Sequence, residues 1–246
     1  KPSGIPWLGE IPAHWEVRKL KFLVRTVGGM TPNKSTAKFW NGSIPWVSPK
    51  DMKQREITDS QMHITEVALR ETNISLIPAL ATLIVVRGMI LARKFPTAVT
   101  RTLVTINQDI KALLPRRELN AEFLVSLLTG VQNELLNIVE EAGHGTRCLR
   151  TDSWANFEIP LPPYSEQVDT CEYLKLELGT FDLTISRLER EIDLLREYRT
   201  RLVADVVTGK LDVREAAAGL LDEEAVSDPV VDEEACDIPD DEDFQV

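Results

Sequence analysis

The chain has 246 residues, 43% of them hydrophobic, and a net charge of −11. It contains no apolar run of the ~20 residues that a membrane-spanning helix needs, which excludes an integral membrane protein with helical spans. Residues 215–246 hold 13 acidic residues and no Lys or Arg, whereas residues 1–165 hold 20 basic against 15 acidic residues. The negative charge therefore belongs to the tail, and the body of the chain is compatible with DNA binding.

The cysteines and histidines predict neither a disulfide framework nor a metal site. Three widely spaced cysteines indicate reduced thiols in a cytoplasm: Cys148, Cys171 and Cys236. The three histidines are equally scattered and show no spacing typical of metal ligands: His14, His63 and His144. The sequence starts without a Met and without an apolar signal segment, which is consistent with processing or with a piece of a longer product.

Residues 1–164 predict a globular region of mixed strands and helices, an α+β fold. Strand-like runs occur at residues 44–47, 79–86 and 98–106, separated by Gly, Pro and Asn. Asn120 is a good N-cap for a helix to about residue 141, whose apolar face comprises Leu124, Leu127, Leu128, Val131, Leu135 and Ile138. A turn at residues 142–146 ends this helix. The prolines at 160, 162 and 163 then exclude both a helix and a central strand.

Residues 165–208 predict one long helix, with Ser165 as its N-cap. Apolar residues recur at alternating spacings of four and three, interrupted once where Arg199 occupies the core register: Leu174, Leu178, Phe181, Ile185, Leu188, Ile192, Leu195, Leu202 and Val206. A narrow apolar seam on so long a helix requires a partner helix. By itself this segment fits a generic dimerising coiled coil equally well. Residues 209–246 form the C-terminal segment, predicted to be acidic and disordered from about residue 215.

No catalytic site can be recognised in the sequence. The triplet Asp51-Met52-Lys53 has the spacing of a nuclease core, but no acidic residue on an upstream strand completes a metal site. The segment Leu161-Pro162-Pro163-Tyr164 lacks the Asn or Asp that an amino methyltransferase needs before its prolines. The glycines of residues 143–146 lack the Lys of a phosphate-binding loop. We therefore predict no catalytic residues and no bound metal.

In order along the chain, several segments resemble one half of the specificity subunit of type I restriction–modification enzymes. The resemblance covers residues 1–214 and rests on the order and spacing of these segments, which are residues 3–12 with His14-Trp15, Gly28-Gly29-Met30-Thr31-Pro32 with Met30 inserted, residues 40–47, Lys50-Asp51-Met52, Val86-Arg87-Gly88, Asn107-Gln108-Asp109, residues 159–163 with Glu166-Gln167, residues 194–199 and residues 206–214.

The resemblance implies a DNA target-recognition domain that reads one half of a split site, joined to a spacer helix that sets the distance between half-sites. It implies methyltransferase (M) subunits and a restriction or motor (R) subunit as partners in a bacterial or archaeal cytoplasm. Those partners, and not this chain, would bind S-adenosylmethionine, ATP and Mg²⁺. The family's typical subunit has two recognition domains and two helices. This chain is therefore either a half-subunit that pairs with a copy of itself or a piece of a longer product.

Basic residues beside turns and strands are the candidates for DNA contact, because phosphates are held by Lys and Arg and base edges by side chains that reach the grooves. They are Lys34, Lys38, Lys50, Lys53, Arg55, Arg87, Arg93, Lys94, Arg101, Arg147 and Arg150. For Trp40 and Trp46, core packing is favoured over stacking on bases.

Three alternatives remain open from the sequence. The chain could be a stand-alone dimeric DNA-binding regulator, which would bind DNA without methyltransferase partners. It could be a coiled-coil adaptor without a nucleic-acid role, against which the positive charge of residues 1–165 argues. It could also be a nuclease, which Mg²⁺-dependent cleavage lost on Asp51→Ala would reveal.

Overall fold

The computed structural model describes residues 1–214, in which one compact unit comprises residues 1–180 and a second begins at residue 181. The acidic tail, predicted to be disordered from about residue 215, lies outside the described residues. Within residues 1–214, no helix is long and apolar enough to cross a membrane. The predicted α+β class is confirmed, with strands and short helices in the first unit and one long helix toward the C-terminus.

The strands are short and numerous. In chain order they are β1 (Glu16–Lys19), β2 (Val24–Gly28), β3 (Trp40–Val47), β4 (Glu56–Ile57), β5 (Met62–Ile64), β6 (Thr82–Val85), β7 (Thr97–Thr100), β8 (Thr105–Ile106), β9 (Ile110–Pro115), β10 (Glu140–Glu141), β11 (Arg147–Cys148) and β12 (Glu158–Leu161). The α-helices are α1 (Leu20–Leu23), α2 (Glu66–Glu71), α3 (Ala121–Gly130), α4 (Gln132–Asn137), α5 (Thr151–Ala155) and α6 (Tyr164–Val207). The 3₁₀ turns of the described residues are Ala37–Phe39, Pro49–Asp51, Met89–Ala92 and Gly143–Gly145.

A five-stranded sheet in the order β2-β9-β6-β7-β4 forms the centre of the first unit. Its neighbours are antiparallel except β4, which runs parallel to β7. All four residues of β6 are buried, because both faces of this central strand are covered. The fully buried Leu83 of β6 and Leu124 of α3 belong to the same apolar cluster, where burial of each leucine stabilises the fold by roughly 1.5–3 kcal/mol.

A second sheet, in the order β5-β3-β8, corrects the prediction of one strand over residues 98–106. That run contains two strands in different sheets, β7 beside β6 and β8 parallel to β3. Between them the chain turns at residues 101–104, where Leu103 is exposed and the amide of Arg101 donates to the carbonyl of Ile57. β-branched composition alone could not reveal this change of sheet.

The helix predicted from Asn120 to about residue 141 is also shorter than expected. The cap is confirmed, because Asn120 Oδ1 accepts from the amides of Glu122 and Phe123 at 2.8 and 3.1 Å. The helix ends at Gly130, a residue of low helix propensity, and Val131 leaves helical geometry at φ −101° and ψ 20°. After α4, the last two residues of the predicted helix form β10 and pair with β11.

The predicted proline-rich segment begins in an edge strand, as its composition allows. Among the strands of residues 1–214, β12 pairs only with β1, in a two-stranded antiparallel sheet where Pro160 lies opposite Val17. Proline can occupy such a strand because it needs no partner for the amide that it lacks. Helix α6 then begins at Tyr164, one residue before the predicted cap Ser165, and continues for 44 residues.

In the second unit, α6 ends at a glycine cap. Gly209 has φ +72°, its amide donates to the carbonyl of Val206, and the amide of Lys210 donates to that of Asp205 at 2.8 Å. These two bonds form a Schellman motif, which satisfies carbonyls of the last turn and favours glycine at this position.

Candidate nucleic-acid interface

Loops from several strands meet at one end of the central sheet. Gly28 at the end of β2 lies opposite Lys111 at the start of β9, and Val85 at the end of β6 lies opposite Ile110. The amide of Asn107 donates to the carbonyl of Val47 at the end of β3. We call the segments 28–34, 48–50, 86–94 and 107–111 the loop edge.

The glycine turn that follows β2 packs directly against the turn before β9. A Cβ on Gly29 would lie 1.9 Å from the carbonyl oxygen of Asn107, so only glycine fits there. The amide of Met30 donates to the carbonyl of Ile106, and the Met30 carbonyl accepts from the indole of Trp46 at 3.0 Å. The fold therefore places Gly28–Pro32 beside Asn107–Asp109. These segments are two separate parts of the sequence resemblance.

The turn at Asn107 is closed by its own side chains. Asn107 Oδ1 accepts from the amide of Asp109, and Asn107 Nδ2 donates to the Asp109 carboxylate, each at 3.1 Å. Burial raises the pKa of Asp109, while the nearby Arg87 guanidinium opposes that rise. Gln108 is exposed on this turn, and its Oε1 accepts a hydrogen bond from the Thr31 hydroxyl. This hydrogen bond holds in place a side chain that could contact a base edge.

Five candidate cations on the loop edge are exposed and form no ion pair with any carboxylate of residues 1–214. They are Lys34, Lys50, Arg87, Arg93 and Lys94. Such cations are available to phosphate oxygens. Lys111, which the sequence patterns did not indicate, is half-buried on the same edge. Its position at the start of a strand that follows the Asn107 turn was the signal that could have identified it.

The remaining candidates have other partners or lie elsewhere. Lys38 pairs with Glu71, Arg147 with Glu141 and Arg150 with Glu140. Lys53 and Arg55 are exposed before β4, and Arg55 bonds the hydroxyl of Ser126.

Arg101 is held by two carboxylates. Its guanidinium contacts Glu56 at 2.5 Å and Glu122 at 2.6 Å. The hydrogen bond to Glu56 is the main cause of a raised Arg101 pKa, and the same contact lowers the pKa of Glu56. A phosphate would have to compete with both carboxylates, so Arg101 is a poorer candidate for DNA contact than the unpaired cations.

The two tryptophans are core residues, as favoured from the sequence. Trp40 and Trp46 are 9% and 5% exposed and pack edge to face with ring centroids 5.3 Å apart. Their indole N–H groups donate to the carbonyls of Asn33 and Met30. Both rings therefore support the loop that carries Lys34, and neither face is free for a base.

Asp51, the acidic residue of the nuclease-like triplet, has a structural role. Its Oδ2 accepts from the amide and hydroxyl of Ser48, both at 2.8 Å, and its Oδ1 accepts from the amide of Gln61 at 2.8 Å. These bonds cap the 3₁₀ turn Pro49–Asp51. Within the described residues, no group of three or more His, Cys, Asp or Glu side chains could hold a metal ion.

The first turn of α6 is tied to the folded region by two adjacent side chains. Gln167 is fully buried, its Nε2 donates to the carbonyls of Glu118 and Pro162, and its Oε1 accepts from the amide of Asn120. Glu166 accepts from the indole of Trp15 at 2.8 Å and contacts the His14 ring at 2.6 Å.

The predicted helix-pairing residues fall on α6 as expected, and most are exposed in the single chain. In residues 181–206, Phe181, Ile185, Leu188, Ile192, Leu195 and Leu202 are exposed by between 39% and 64%. Leu178 is also exposed, and Leu174 and Val206 are half-buried. An apolar row of this length in water favours association with another apolar surface.

A protein-family model described as the type I restriction modification DNA specificity domain matches residues 12–193. The specificity subunit of the Escherichia coli type I restriction enzyme EcoR124I/EcoR124II is 36% identical over 169 residues, which are 68% of this chain and 42% of that protein. The MjaIX specificity subunit of Methanocaldococcus jannaschii is 28% identical over 79% of this chain and 44% of its own length.

Solved structures have the same fold. A chain from a study of complex assembly and conformational transition of the type I R-M system superposes with a TM-score of 0.61 at 22% identity, over 78% of this chain and 45% of that one. The HsdS subunit from Thermoanaerobacter tengcongensis gives a TM-score of 0.55 at 20% identity, over 76% of this chain and 42% of its own. This chain spans less than half the length of these relatives. It belongs to the family of type I restriction–modification DNA specificity domains.

Proposed function

We propose that this chain reads one half of a split DNA target for a type I restriction–modification system. The observation that carries the proposal is the family match over residues 12–193, which includes both the sheet region and much of α6. The unpaired cations of the loop edge support it, since phosphate contacts supply much of the affinity of DNA-binding proteins. We expect Lys34, Lys50, Arg87, Arg93 and Lys94 to contribute most of these contacts.

The chemistry in this proposal belongs to other subunits. M subunits would bind S-adenosylmethionine and methylate adenine, and an R subunit would use ATP and Mg²⁺ to translocate and cut DNA. The relatives are named as specificity subunits of type I restriction enzymes. These names support a recognition role for this chain and catalytic roles for other subunits. The structural use of Asp51 as a cap also argues against a nuclease in this chain. Such an assembly would work in the cytoplasm.

The second part of the proposal concerns α6. Its apolar row would pack against a second such helix, from another copy of the chain or from a separate recognition half. A helix of 44 residues rises ~66 Å at ~1.5 Å per residue. A pair of such helices would hold two recognition regions at a set separation and so determine the spacer between half-sites.

Light scattering on the purified chain, alone and with its cognate M subunit, tests the pairing. A chain of 27.7 kDa that runs at twice this mass supports self-pairing and predicts a palindromic split site. A folded chain that stays monomeric in both conditions refutes self-pairing. The variant Leu188→Asp, on the exposed row, is expected to abolish the dimer, whereas the nearby polar-face variant Arg187→Asp is not.

DNA recognition is tested by selection from a randomised duplex library, with and without the M subunit. Enrichment of one split sequence only with the M subunit supports the proposal. Equal enrichment without it favours a stand-alone regulator. No enrichment in either condition, with a folded protein, refutes a recognition role. Tight binding is expected to weaken steeply with salt, because released counterions drive it.

A further inference from the structure

The segment 87–94 of the loop edge presents two apolar side chains to solvent. Met89 is 58% exposed and Ile90 is 42% exposed, and they open the 3₁₀ turn Met89–Ala92. We call these two residues the apolar tip. Single exposed apolar residues are common on protein surfaces, whereas this pair is adjacent, firmly anchored and surrounded by cations.

The apolar tip stands on a well-anchored base. Leu91 and Phe95 are 2% and 3% exposed and belong to the main core. The amides of Arg93 and Lys94 both donate to the carbonyl of Ile90, at 3.1 and 2.9 Å. Two adjacent apolar residues are therefore exposed although the next one in the chain is buried, so the turn itself directs them outward.

The other end of the segment is anchored by the strand that carries Arg147. The amide of Gly88 donates to the carbonyl of Arg147 at 3.0 Å, and the amide of Leu149 donates to that of Val86 at 2.9 Å. Gly88 has φ +139° and ψ 161°, a conformation that is essentially restricted to glycine. A Cβ there would meet nothing closer than Ile90 Cγ2 at 3.8 Å. Backbone conformation and not space therefore requires this glycine, and it directs the chain into the turn.

Exposed cations flank the apolar tip on both sides. Arg87 precedes it, and Arg93 and Lys94 follow it, and none of the three forms an ion pair within residues 1–214. An apolar protein surface would not match three exposed cations without ion pairs, although the Asp109 carboxylate offsets part of the charge of Arg87. A DNA duplex matches both features, because phosphates line each groove while base edges and thymine methyl groups offer apolar contact inside it.

We propose that the apolar tip enters a groove of the DNA and contacts base edges, while Arg87, Arg93 and Lys94 hold the phosphates on either side. This inference rests on the proposed function and adds to it the residues that distinguish one sequence from another. Met89 and Ile90 are specificity-determining residues in this arrangement, and the three cations provide affinity that is independent of sequence.

The test uses the full chain with its M subunit and a duplex that the wild-type complex has enriched from a randomised library. The double variant Met89→Gln and Ile90→Gln is expected to bind this duplex about tenfold or more weakly, and to lose preference at particular base pairs, with an unchanged salt slope. Arg87→Gln is expected to weaken binding to all duplexes similarly and to lower the salt slope by about one.

Leu103→Gln is the matched control, because Leu103 is 56% exposed on a turn beside Arg101, whose charge is already paired. It is expected to leave affinity and preference unchanged. If the double variant keeps the wild-type preference while the wild type still selects a sequence, the inference is wrong and the proposed function stands. If the wild type selects no sequence, both are wrong. Unfolding midpoints within error of the wild type establish that the glutamine variants are folded.

Discussion

Gln167 makes three hydrogen bonds from a buried position, and its loss gives a sharp test of how α6 is attached. Gln167→Leu keeps the approximate volume but removes the donors to Glu118 and Pro162 and the acceptor for Asn120. Each buried group left without a partner costs roughly 1–3 kcal/mol. The Pro162 bond is buried, whereas the other two are only partly buried, so water can compensate them in part. We expect a total loss of about 2–4 kcal/mol.

Urea unfolding of the full chain, followed by circular dichroism, measures this loss. The exposed Gln54 provides a control for the same chemical change, and Gln54→Leu is expected to alter the free energy of unfolding by less than ~0.5 kcal/mol. A similarly small effect for Gln167→Leu would refute the argument that these bonds hold the first turn of α6. Light scattering on the same variant should show unchanged self-association, because the predicted pairing residues lie further along the helix.

Three further predictions concern other polar and glycine contacts. Hydrogen bonds from Trp15 and then His14 lower the pKa of Glu166, so its contribution to stability is full above the unfolded-state pKa and disappears as the pH falls through the folded-state pKa. In urea unfolding across this pH range, the free energy of unfolding of Glu166→Gln should therefore approach that of the wild type in acid. A difference that stays constant with pH would contradict this prediction. Asp51→Ala should lose about 1–2 kcal/mol of unfolding free energy. Neither this variant nor the wild type should cleave DNA with Mg²⁺, and cleavage by the wild type but not by the variant would support a nuclease instead. Gly29→Ala should cost at least ~2 kcal/mol in thermal or urea unfolding because of the contact with Asn107, whereas Gly179→Ala, with open space around its Cβ, should be neutral or stabilising.

The long helix α6 could be predicted from the sequence, whereas strand pairings between distant parts of the chain could not. The heptad spacing and the absence of proline identified α6 to within a residue at each end, because a helix is encoded by local periodicity. The split of residues 98–106 between two sheets depends on the parallel pairing of β8 with β3, some 60 residues earlier. Likewise, the last two residues of the helix predicted to about residue 141 form β10 instead, because they pair with β11. Such non-local pairings leave little trace in a short window of sequence.

For the interface, residue type indicated which side chains could bind phosphate, but only the structure separates paired from unpaired cations. Arg101 and Arg87 are both arginines beside strand ends, yet two carboxylates hold Arg101 while Arg87 has no direct ion pair within residues 1–214. The sequence did not indicate Lys111 as a candidate for DNA contact, because a lysine inside an alternating strand is ordinarily a solvent-facing residue. The register of β9 with β2 places it on the loop edge.

The uneven distribution of charge along the chain also explains how an acidic protein can carry a DNA-binding surface. Attraction to phosphate depends on the field at the contact surface and is screened over about 10 Å at moderate salt. The net charge of −11 is dominated by residues 215–246, whereas five cations of the loop edge form no ion pair within residues 1–214. Charge-reversal of one such residue, Lys94→Glu, should therefore weaken DNA binding more than the same change at Lys38, whose charge Glu71 already offsets. Equal losses at the two positions, measured in the same salt, would show that overall charge and not the loop edge governs binding.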